Sequence, residues 1–96
     1  METNFEHVNK NFTANFGMRY GIDTKQAPVT CTLPTTVSVG FSIFFADWSG
    51  SFSENIFTVK TTGSQTINGT ATTLVLDTSG DSIGLFWTGT TWRTYE

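Results

Sequence analysis

Between residues 29 and 33 the chain reads Val29-Thr-Cys-Thr-Leu33, with apolar and hydroxyl-bearing side chains taking strict turns. A period of two puts Val29, Cys31 and Leu33 on one side of an extended segment and Thr30 and Thr32 on the other. The rhythm returns in Phe41-Ser-Ile-Phe-Phe-Ala-Asp47. Here Phe41, Ile43 and Phe45 share a face, while Phe44 and Ala46 make the opposite face apolar as well. That pattern predicts a central strand covered on both sides. No stretch repeats apolar residues at i, i+3, i+4 and i+7 without a glycine or a threonine run intervening, so no helix is expected.

Similar alternation predicts strands over residues 56–61, 72–77, 83–88 and 91–95. A first strand is expected over 18–23, with a weaker one near 12–16. Turn signals separate them. Asn68-Gly69 is the pair wanted where two consecutive positions need positive φ, and Thr88-Gly-Thr90 would close a C-terminal hairpin. Pro34 ends the strand before it, since it has no N–H to donate to a ladder. Residues 1–11 carry no alternation and read as an N-terminal arm, with Phe5, His7 and Val8 as its partner-binding residues. The expected fold is a small antiparallel β-sandwich or barrel of about seven short strands, a single domain over 12–96 preceded by the arm.

A chain of 96 residues buries only about 60–65% of the surface it exposes when unfolded. Cys31 is the single cysteine, so no internal disulfide adds stability, and the single histidine, His7, gives no metal-ligand set. Charged residues make up 14% and aromatic ones 15%, and threonine is the commonest residue. Such a surface costs little to desolvate against another subunit, which points to an assembled protein. The net charge is −3, and the five cations are scattered, so nucleic acid is not expected as a partner. No apolar run reaches the ~20 residues of a membrane span. The polar opening Met1-Glu-Thr-Asn-Phe-Glu-His7 does not read as a secretory signal, so synthesis in a cytoplasm is expected.

Catalysis has little to work with. His7 falls in the arm, and Cys31 alternates with Val29 and Leu33 on an inward face, where a thiol is inert packing. Asp47, Glu54, Asp77 and Asp81 fall at strand ends or in turns, where carboxylates bond their own backbone. Neither a catalytic residue nor a cofactor nor a metal site is expected. The aromatic residues carry more information. Trp87 shares a face with Ile83 and Leu85 and reads as core. Trp48 and Phe52 lie in one loop, and Trp92 and Tyr95 fall on opposite faces of the last strand. These four are the candidate surface for an oligomer contact or a ligand.

Asn11-Phe-Thr13, Asp23-Thr24, Val29-Thr-Cys-Thr-Leu-Pro34, Val39-Gly40, Gly50-Ser-Phe52 with Asn55, Thr66-Ile-Asn-Gly69, Leu74-Val-Leu-Asp77 and Thr88-Gly-Thr-Thr-Trp92 follow one another in order. Together they resemble a small all-β module of tailed-bacteriophage virion proteins, found in tail and head fibres and other virion-associated proteins. The resemblance implies a structural virion component made in the host cytoplasm, a homo-oligomer with a trimer favoured, and no catalytic residues. A single module with an arm fits a capsid decoration (cement) protein or a short fibre module docked on other virion proteins. The alternative expectation is a receptor-binding tail-fibre module that recognises host surface glycans.

Overall fold

The structure, a computed structural model, describes residues 4–15 and 17–95. They form β1 (Glu6–Val8), β2 (Phe12–Thr13), β3 (Arg19–Ile22), β4 (Val29–Thr32), β5 (Ser42–Asp47), β6 (Phe57–Lys60), β7 (Thr73–Leu76), β8 (Ser82–Trp87) and β9 (Trp92–Tyr95). The all-β expectation holds. Among the described residues there is no helix, and none long and apolar enough to cross a membrane.

The strands lie in two mixed sheets. One has the order β1-β3-β5-β8-β9, the other β2-β4-β6-β7. The alternating segments found in the sequence are there and β5 is central in its sheet, but the expected cover on both sides is not: only its inner face meets the other sheet, and Phe44 and Ala46 stay half-buried on the outer one. The antiparallel layout does not hold. β1 pairs with β3, β3 with β5, β2 with β4 and β4 with β6, all in parallel. The reason lies in the connections. From β1 to β6 the chain changes sheet at every step, so each strand returns beside the one two places earlier and runs the same way. Antiparallel pairs appear where β6 turns back on β7 and β8 on β9, and where β8 closes on β5. Asn68 (φ 53°) and Gly69 (φ 90°) do adopt the positive values expected of them. They sit in a three-residue turn between Ile67 and Ala71.

The expected arm is corrected over Glu6–Val8. These residues are the edge strand of the five-stranded sheet, with Glu6, His7 and Val8 opposite Tyr20, Gly21 and Ile22. Asp23 N–H continues the ladder by donating to the Val8 carbonyl at 2.8 Å. Asn11 extends the other sheet through its side chain, whose Oδ1 accepts the Thr30 N–H at 2.8 Å. Residues 1–3 of the expected arm, Phe16 at the end of the weaker strand, and Glu96 lie outside the described residues.

The sheets face each other across one apolar core. Phe45 of the larger sheet meets Phe57 of the smaller with centroids 5.2 Å apart, and Tyr20 meets Phe12 at 4.8 Å. Ile22, Leu33, Ile43, Val59 and Leu85 fill the space between. Burying a side chain of this size contributes roughly 1.5–3 kcal/mol, and Val8 adds a half-buried flank. Cys31 is fully buried here, and burial pushes its thiol up to about 12. Its thiolate is therefore inaccessible as well as unformed at neutral pH. A thiol-titrating reagent should leave Cys31 unmodified in the native protein and modify it stoichiometrically in denaturant; rapid native labelling would contradict this packing.

Candidate functional site

The outer face of the five-stranded sheet carries most of the exposed aromatic surface, and a single carboxylate arranges its most exposed member. Asp47 ends β5. Its Oδ1 accepts N–H groups from Gly50 (2.9 Å) and Ser51 (3.1 Å), and its Oδ2 accepts those of Phe52 (3.2 Å) and Gly80 (2.9 Å). An ionised carboxylate has about four acceptor positions, and here backbone donors occupy them. The bonds curl the loop after β5 so that Phe52 turns inward and stacks on Phe57, centroids 5.6 Å apart. Trp48 stays outside, its own N–H donating to the Ile22 carbonyl at 2.8 Å.

Strand alternation places Arg19 and Gly21 of β3, Ser42, Phe44 and Ala46 of β5, Ser82, Gly84 and Phe86 of β8, and Arg93 and Tyr95 of β9 on this outer face. Two of its glycines serve one purpose. A Cβ built at Gly21 would overlap Cε3 of the Trp48 indole, and one built at Gly84 would overlap Cζ of the Tyr95 ring. Each aromatic ring thus rests directly on glycine backbone. Trp48 remains 54% exposed and Tyr95 39% exposed. Gly21 and Gly84 lie on either side of β5 and two residues out of register, roughly 12 Å apart on sheet spacings.

Other rings join these two. Phe44 lies 6.4 Å from Tyr95 and 6.2 Å from Phe5, and Phe86 lies 6.0 Å from Tyr95. The Arg19 guanidinium sits over Phe5 at 4.6 Å and within 5.7 Å of the Phe44 centroid. Such cation–π contacts hold the cation to the ring faces. His7 packs 4.7 Å from Trp48, and its Nε2 lies 2.8 Å from Asp23 Oδ2. The hydrogen bond from His7, followed by that from the Lys25 N–H, holds the Asp23 carboxyl below its ordinary value.

The structure divides the expected site residues. Phe5, His7, Trp48 and Tyr95, taken from different parts of the sequence, meet on one face. Val8 turns towards the core. Phe52 and Trp92 are corrected: both are 0% exposed. Phe52 is drawn in by the Asp47 bonds. Trp92 stands on the inward side of β9, beside Trp87 at 5.5 Å, with its Nε1–H donating to Gln65 Oε1 at 3.2 Å. Sequence reasoning missed Arg19, Phe86 and the two glycines. A glycine inside a strand does signal close approach of another group, and Gly21 and Gly84 both lay in expected strands. Among the described residues no three His, Cys, Asp or Glu side chains gather where a metal could bind. Compared with known proteins, the chain matches no protein-family model and no curated sequence.

Two measurements test this geometry. Asp47→Ala leaves four N–H groups without their acceptor; at about 1 kcal/mol net per bond, with water replacing part of the two exposed bonds, it should cost about 2–4 kcal/mol in denaturant unfolding. Asp23 ionises more readily folded than unfolded, so its contribution to stability is complete above the ordinary carboxylate range and is lost as pH falls through the lowered folded value. Asp23→Asn should therefore flatten the acid limb of the stability–pH profile.

Proposed function

We propose that this chain is a non-catalytic structural module of a tailed-bacteriophage virion, a β-sandwich that presents the outer face of its larger sheet for recognition of host surface glycans. The observation that supports this most is the pair of aromatic rings bedded on glycine. A ring held flat on backbone keeps its other face towards solvent and loses little conformational freedom when a ligand stacks on it. Aromatic rings of this kind offer the apolar faces of sugars a stacking surface, and Trp48 and Tyr95 are spaced for an oligosaccharide rather than one residue. The ordered motifs from Asn11 to Trp92 support the virion setting.

A second reading, a capsid decoration or short fibre module that docks on another virion protein as a trimer, rests on a different feature. Glu6 and Val8 direct their backbone groups to β3, so those of His7 turn to the open edge of the sheet. An open edge can accept an added strand from a partner. A groove of ≈ 290 Å³ bounded by Glu6, Lys10, Asn11, Thr13 and Asn15 runs beside it.

Binding to envelope polysaccharides of candidate host bacteria separates the two. Trp48→Ala and Tyr95→Ala should each lower glycan affinity about tenfold or more, given stacking worth about 1–3 kcal/mol per ring in the comparable case of nucleobases, with the unfolding midpoint nearly unchanged. Undiminished binding by both variants would sink the glycan reading. Saturable binding to phage particles, unaffected by both, would favour docking.

A further inference from the structure

The charge on the recognition face is opposite in sign to that of the whole chain. The protein carries a formal net charge of −3, yet the outward positions of the five-stranded sheet hold Arg19 and Arg93. Neither guanidinium makes a side-chain hydrogen bond or ion pair with a described residue. Asp23, past the far end of β3 from Arg19, is engaged by His7 and the Lys25 N–H. The Arg19 guanidinium stands over Phe5 and close to Phe44, and Arg93 lies opposite Phe86 in the strand register.

From this juxtaposition we infer that the face selects acidic polysaccharides, with Trp48 and Tyr95 stacking on sugar rings while Arg19 and Arg93 pair with carboxylates that the sugars carry. The inference rests on the glycan reading above and adds the class of sugar. A guanidinium presents parallel N–H donors that match a carboxylate two by two. Arg19 is also pre-positioned, because the two phenyl rings leave its planar head little freedom to lose on binding. Its row runs from Arg19 through Phe44 and Gly84 to Tyr95 across the sheet, so a chain stacked on Tyr95 can bring a neighbouring sugar's carboxylate towards it. A neutral glycan would leave both cations without counter-charge on a partly desolvated surface.

The test uses the full chain and a panel of acidic bacterial capsular and extracellular polysaccharides, each measured by calorimetry beside its carboxyl-reduced, neutral form. The expected result is binding to an acidic member that weakens about tenfold or more on carboxyl reduction and falls with rising salt. Arg19→Gln and Arg93→Gln, checked for unchanged unfolding, should each reproduce that loss on the acidic form. Arg19→Lys should lie between, since it keeps the charge and loses the fork. Equal affinity for acidic and reduced forms overturns the inference and leaves the glycan reading standing. Absence of binding to both forms overturns the two together.

Discussion

Four backbone N–H groups from two separate segments converge on the carboxylate of Asp47 at the end of the central strand. The segments are the loop that leaves β5 and the turn that precedes β8, and β8 is the strand that closes against β5. Hydroxyl contacts reinforce the join, since Ser53 and Ser79 meet Oγ to Oγ at 2.7 Å. The carboxylate thereby decides the fate of two aromatic residues four positions apart. Phe52 enters the core and Trp48 remains on the outer face. The core loses a large stacking ring and the outer sheet face its most exposed one if that loop takes another course.

Much of the fold was legible in the sequence, and the illegible part has a definite physical origin. Alternation of side chains reports that a segment is extended and which residues share a side, so β4, β5, β6, β8 and β9 were readable. Alternation says nothing about direction. Whether neighbouring strands run parallel is decided by connections that cross between sheets, and no turn residue marks such a crossing. β1 was missed because three residues, Glu-His-Val, are too few to show a period of two, and its place depends on β3 and not on its own composition.

The outer aromatic face was half legible. The parity that separates Trp92 from Tyr95 on β9 was visible, and Tyr95 is the outward one. Trp48 and Phe52 could not be told apart, because both lie in a loop without a period, and side-chain hydrogen bonds to backbone sort them. Arg19 escaped notice as one of five scattered cations. Sheet register brings it between Phe5 and Phe44, two rings from distant parts of the chain. Glycines 21 and 84 carry no side chain and so look like gaps in a strand, yet each is what allows a ring to lie flat.

The alternation of successive strands between two sheets also bears on how the molecule comes together. From β1 to β6 no strand bonds to its immediate neighbour along the chain, so every ladder in that half must first close a loop through the opposite sheet. Loop-closure entropy opposes those steps before any contact offsets it. The β6–β7 and β8–β9 hairpins face no such delay and offer local nuclei. β3 and β4 then gain a foothold on β5 and β6, and β1 and β2 close the edges afterwards. A ribosome delivers these elements in the reverse sequence, so the first segments to emerge wait for the last, and the domain stays unfinished until β9 is free.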